Sequence, residues 1–87
     1  MKKLEKNLKA LANISRLKIL QYLKKNKEDS VTNIAEGTKC SYKATSKHLS
    51  ILFQADIVDR HQVVYEMHYR LAENLDSTVQ AILKQLL

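Results

Sequence analysis

Apolar and polar positions alternate along this chain with two different periods. Leu4, Leu8 and Leu11 recur at helical spacing, which predicts an amphipathic helix over residues 2–12. Asn13 interrupts that pattern and is suited to cap a second helix over about 14–26, whose apolar face carries Ile14, Leu17, Ile19, Leu20 and Leu23. The run Lys24-Lys25-Asn26-Lys27 closes it, as the helix dipole favours. Residues 27–30 predict a polar turn, with Val31 briefly extended. Thr32 is expected to cap a short third helix over about 33–38, with Ile34 and Ala35 inward. Gly37-Thr38-Lys39-Cys40 is expected to end it in a tight turn, after which Ser41 caps a fourth helix over about 42–55. There Thr45, Leu49, Leu52 and Phe53 should face the core.

Between Ile57 and Leu71 the period changes to two. Val58, Val63, Val64, Tyr65, Met67 and Tyr69 are strand formers, and Tyr65, Met67, Tyr69 and Leu71 fall on one side, which predicts a hairpin. Glu73-Asn74 is then expected to cap a last helix striped by Leu75, Val79, Ile82, Leu83 and Leu86. The predicted class is mainly α with a small β-hairpin, in the order ααααββα. Two short helices joined by a tight turn and followed by a two-stranded wing is the pattern of a winged helix-turn-helix.

The 87 residues make one domain spanning 1–87. A core this small gains from a second subunit. The single cysteine, Cys40, excludes an intrachain disulfide. No apolar run approaches the ~18 residues of a membrane span, and no secretory leader is evident, so a cytoplasmic protein with no membrane partner is expected. The net charge of +6 favours a polyanionic partner. Residues 1–27 alone carry +8, leaving −2 for the remainder. Within that remainder Lys39, Lys43 and Lys47 recur every fourth residue, a spacing that can line one helix face.

At several points the sequence resembles the ArsR-type winged-helix repressors. Leu11-Ala12-Asn13-Ile14-Ser15-Arg16-Leu17-Lys18-Ile19-Leu20 resembles the family's ALADPTRLRIL-like stretch. The segment from Ser41 to Leu52 (SYKATSKHLSIL) resembles its SQSTVSRHLKVL-like recognition helix. Ala55-Asp56-Ile57-Val58 resembles the AGLV-like lead into the wing, and Tyr69-Arg70-Leu71 the YRL-like exit. The likeness spans roughly residues 4–87. It implies a double-stranded DNA-binding regulator that dimerises through its first and last helices and represses by occupying a near-palindromic operator. Three departures stand out. The stretch Val31-Thr32-Asn33-Ile34-Ala35-Glu36 has no thiol where metal-sensing members carry a Cys-x-Cys-like motif. Residues 74–87 have no histidine and only Asp76 where others bind metal on the last helix. Gln62-Val63-Val64-Tyr65 replaces a Gly-containing, Arg-rich wing tip. No metal site and no cofactor are therefore expected, and the effector is open.

If Thr45, Leu49 and Leu52 face inward, Tyr42, Lys43, Ser46 and Lys47 face out, where lysines and a tyrosine hydroxyl can meet bases or phosphates. Thr32 and Ser41 stand at helix N-termini that suit phosphate, and Arg60, His61 and Gln62 on the wing can reach phosphate or minor groove. The dimer contact is expected from Leu4, Leu8 and Leu11 with Leu75, Val79, Ile82, Leu83 and Leu86. His48, next to Leu49, is read as a packed and hydrogen-bonded residue. Cys40 is read as a small, half-buried apolar residue, a redox or metal response being the minor alternative. His61 and His68 with Cys40 have no recognised ligand spacing, and Met67 and the hairpin tyrosines are read as strand packing. No Gly-rich phosphate loop and no nucleophile spaced to a base supports an enzyme. Two rival readings are a winged-helix protein-interaction module that docks a partner through Val63-Val64, and a ligand or redox switch on the same fold.

Overall fold

The computed structural model describes residues 1–86. Five helices and three short strands follow one another as α1 (Lys2–Leu11), α2 (Ile14–Asn26), β1 (Glu28–Ser30), α3 (Val31–Thr38), α4 (Tyr42–Gln54), β2 (Val58–Val63), β3 (Glu66–Leu71) and α5 (Ser77–Leu83). The expected helices and hairpin are present, and a strand that periodicity did not reveal joins them. Residues Glu28 to Ser30, expected as a turn, pair antiparallel with β3, so the sheet has the order β1-β3-β2.

Local chemistry sets the helix ends. The Arg16 N–H donates to the Asn13 side chain at 3.0 Å and the Ala44 N–H to Ser41 Oγ at 3.1 Å, so both residues cap as expected. The cap of α3 is Ser30, whose Oγ accepts from the Asn33 N–H at 3.2 Å, and not Thr32. Val31 is helical and buried, because its side chain fills the core from the first turn of α3. Gly37 lies inside α3 and does not end it. The left-handed residue that ends α3 is Lys39, at φ 59°. Glycine is needed at 37 for a different reason: a Cβ there would overlap the edge of the Tyr22 ring at Cε2.

The last helix starts later than its leucine stripe suggests. Asp76 caps it by accepting from the Thr78 N–H at 2.9 Å, leaving Leu75 ahead of the helix and Leu86 beyond it. Lys24 Nζ reaches across from α2 and donates to the carbonyls of Leu83 and Leu86, each at 2.8 Å, where a cation offsets the dipole of α5.

One core lies between the helices and the sheet. Ile19, Leu20 and Leu23 from α2, Ile34 from α3, Leu49 and Leu52 from α4, Ile57 and Val58 at the start of β2, and Val79 from α5 are almost fully buried. Tyr69 is buried and Met67 and Leu71 pack beside it, as the period-two pattern predicts. Tyr65 departs from that pattern: it lies in the hairpin turn, 95% exposed.

Candidate nucleic-acid interface

The geometry of α4 follows from its inward face. Thr45, Leu49 and Leu52 are completely buried, which leaves Tyr42, Lys43, Ser46 and Lys47 exposed on the opposite side. Phe53 is only half-buried. Lys39, which the four-residue spacing grouped with Lys43 and Lys47, is not part of this helix, since α4 begins at Tyr42. Ser41 and Thr32 are exposed at the first turns of α4 and α3, and Thr32 keeps that position although the cap is Ser30.

His48 and Arg16 fix α4 to the rest of the subunit. Arg16 Nη1 donates to His48 Nδ1 at 3.2 Å, since a guanidinium has no acceptor. Arg16 also donates through Nε to the Ala10 carbonyl at 2.6 Å and through Nη2 to the Lys9 carbonyl at 3.2 Å, which closes the C-terminal end of α1. Burial pushes the His48 imidazole below its usual 6.5, and the charges of Arg16 and Lys47 push it the same way. The packed role read from the sequence is what the structure shows, with Arg16 as a partner that spacing could not reveal.

The wing residues Arg60, His61 and Gln62 are exposed on β2, and each has a contact inside the subunit. The Arg60 guanidinium sits 4.0 Å from the centroid of the Phe53 ring. Gln62 Nε2 donates to the Val64 carbonyl at 3.2 Å. His61 and His68 face one another across the β2–β3 ladder, and both approach Glu28 Oε2, His61 Nε2 at 3.2 Å and His68 Nδ1 at 3.6 Å. Their pairing depends on β1, the strand that periodicity missed. Among the described residues no group of three or more His, Cys, Asp or Glu is arranged to hold a metal ion. Cys40 is partly buried, its Sγ 3.6 Å from the Thr38 carbonyl.

β1 is anchored by Asp29. Its carboxylate accepts from Tyr22 Oη at 2.6 Å, from Asn33 Nδ2 at 2.8 Å and from the Ser30 N–H at 2.8 Å. Burial alone would raise its pKa, but the bonds from Tyr22, Asn33 and Ser30, together with the nearby His68, outweigh that and hold it below 3.8. The same bond, aided by burial, raises the Tyr22 phenol to about 12.

The expected interface leucines divide into two groups. Leu11, Val79 and Leu83 are buried in the subunit's own core. Leu4 and Leu8 are exposed, at 38% and 46%, beside Met1 in a shallow apolar groove along α1. Leu75, Ile82 and Leu86 are half-buried.

Residues 13–60 match the profile of the bacterial regulatory protein, arsR family, which is more than half of the chain. The chain belongs to the ArsR family. Solved structures agree over nearly its whole length. Reduced HlyU from Vibrio cholerae is 31% identical with a TM-score of 0.80, the match covering 97% of this chain and 84% of that one. NolR from Sinorhizobium fredii is 30% identical with a TM-score of 0.82, covering 98% and 81%. The homodimeric winged helix-turn-helix DNA-binding domain of Mb0332 from Mycobacterium bovis is 27% identical with a TM-score of 0.81, covering 97% and 74%. No curated protein sequence matches. The ArsR chain described here is a winged helix-turn-helix of the class used by transcriptional regulators, with α3 and α4 as the helix pair and β2–β3 as the wing. Its α3 has no cysteine, and Asp76 at the start of α5 is occupied as a helix cap. No described helix is long and apolar enough to cross a membrane.

Proposed function

We propose that this ArsR-family chain is a homodimeric regulator that binds double-stranded DNA sequence-specifically and represses by occupying a near-palindromic operator. The observation that carries the reading is the exposure of Tyr42, Lys43, Ser46 and Lys47 on a helix whose other face is locked in the core. Such a helix can enter a major groove while the core keeps its orientation. Lys43 and Lys47 supply charge for guanine or phosphate, Tyr42 and Ser46 supply hydroxyls, and Thr32 and Ser41 offer helix N-termini to the backbone. On the wing, Arg60 and Gln62 extend the contact, with His61 held beside Glu28.

The partner subunit is proposed to cover Leu4 and Leu8 of α1 together with Leu75, Ile82 and Leu86 around α5. A two-fold pair would set the two copies of α4 about 34 Å apart, one turn of B-form DNA. A cytoplasmic location follows from that role. Selection of bound sequences from random duplex DNA tests the proposal: a palindromic consensus supports it, and no enrichment over input overturns it. The exposed wing tip, Val64 at 80% and Tyr65 at 95%, favours a second reading in which the wing docks a protein. A dimer inert toward every duplex would select that reading.

A further inference from the structure

A cleft of about 550 Å³ opens between α2 and the C-terminal end of α3. One wall is a single face of α2, where Lys18, Tyr22 and Lys25 follow at spacings of four and three. The other wall is Gly37 to Lys39, where the left-handed Lys39 ends α3. Gly37 lets the Tyr22 ring lie against the backbone of α3, which forms the floor.

The lining contains three lysines and no carboxylate. Among the described residues the amines of Lys18, Lys25 and Lys39 make no hydrogen bond or ion pair, in contrast to Lys24, which is spent on α5. Of the two acids close enough to act on Tyr22, Asp29 is already engaged by Tyr22, Asn33 and Ser30, and Glu36 is exposed and does not line the cleft. Three unneutralised amines around one concavity repel one another and concentrate anions there. The last carbonyls of α2 and α3 oppose an anion there, but the Lys27 N–H caps that of Leu23 and the Lys39 N–H those of Ala35 and Glu36, which leaves the three amines as the dominant charge of the cleft.

We propose that this cleft binds a small multivalent anion, a solute bearing two or more phosphate or carboxylate groups, through Lys18, Lys25 and Lys39. Its volume lies within the roughly 300–1,000 Å³ of small-ligand pockets. Tyr42, Lys43, Ser46 and Lys47 do not line it, so the site is separate from the outward face of α4 and does not depend on the DNA reading.

The probe is pyrophosphate, titrated into the full chain at constant ionic strength and followed by amide chemical shifts. The expected result is saturable binding centred on residues 18–26 and 37–39, weakened about tenfold or more in the Lys18→Ala/Lys39→Ala variant and unchanged in Lys43→Ala/Lys47→Ala. Because those amines bond nothing in the subunit and repel one another, the melting temperature should not fall. Lys18→Gln/Lys25→Gln, which keeps most of each aliphatic stem, gives a second variant should the first fail to fold. Non-saturating shifts, equal binding by the cleft variants, or equal weakening by Lys43 and Lys47 would overturn the proposal. So would a cleft variant that loses duplex affinity while the parent ignores pyrophosphate, since the lysines would then serve the DNA backbone.

Discussion

Arg16 Nη1 stands 3.2 Å from His48 Nδ1, a bond that ties the start of α2 to the middle of α4. The same guanidinium closes the end of α1 through the Lys9 and Ala10 carbonyls. Three helices therefore depend on one side chain. Arg16→Ala is expected to destabilise the fold by about 2–3 kcal/mol, since bonds to a charged donor are lost together. His48 should titrate below 6.5 in the parent, where burial comes first and Arg16 and Lys47 add to it. Its folded pKa is depressed, so stability is complete above pH 6.5 and falls as the pH drops through that value toward the lowered one. Imidazole titration by NMR checks both parts: the His48 pKa should rise in Arg16→Ala, and an unmoved value would show that Arg16 does not act on it.

The Tyr22–Asp29 pair sets a second pH dependence, with opposite signs at the two ends of the scale. Asp29 is held below 3.8, so its contribution is present above that pH and disappears as the pH falls through the folded value. Tyr22 is raised to about 12, so its contribution holds below pH 10 and disappears as the pH climbs from there to 12. Tyr22→Phe should cost about 1–2 kcal/mol near pH 7 and progressively less in acid. Gly37→Ala should damage the same pair by forcing the Tyr22 ring away, at a cost of about 1–3 kcal/mol. Ultraviolet titration, with the Tyr22 phenol ionising only as the pH approaches 12, is the direct measurement.

These two pairs also mark the limit of what the sequence made legible. The helices and hairpin follow from periodicity because each buries one face of its own. The outward set on α4 follows from Thr45, Leu49 and Leu52 in the same way. β1 has three residues, too few to show a period, and its pairing with β3 is visible only in three dimensions. Ser30 and Thr32 are both good caps two positions apart, and the choice falls to Ser30 because Val31 packs into the core. An apolar stripe cannot say whether its own subunit or a partner covers it, which is why Leu11, Val79 and Leu83 proved internal while Leu4 and Leu8 did not. Arg16 and His48 lie 32 residues apart and carry no spacing signal at all.

Four described positions keep positive φ without glycine, Lys27, Lys39, Asp56 and Val64, and the last two border the wing. Asp56, at φ 60°, stands where the resemblance places the glycine of an AGLV-like stretch, and Val64, at φ 54°, is the first residue of the two-residue hairpin turn. A β-branched residue is strained there, and a turn with positive φ at its first position alone favours glycine. Val64→Gly is expected to stabilise the chain by about 1 kcal/mol and Asp56→Gly by about 0.5–1 kcal/mol. Chemical denaturation should show higher midpoints at unchanged slope; lower midpoints would mean that the Val64 and Asp56 side chains matter more than their backbone strain.

Lys43 and Lys47 give the most direct test of the outward face of α4. If a dimer contacts six to ten phosphates, duplex affinity should fall about 10³–10⁵-fold between ~50 and ~200 mM salt. Lys43→Ala/Lys47→Ala removes four cations from a dimer and should lower the slope of log affinity against log salt by up to about 3–4. Both side chains are exposed and make no ion pair among the described residues, so folding and subunit association should be unaffected. The two lysines are also separable in kind: one that meets a phosphate weakens all duplexes equally, whereas one that meets a guanine edge costs about 1–3 kcal/mol at its own base pair and relaxes selection there. Unchanged affinity and slope in the double variant would move the contact surface off this helix face.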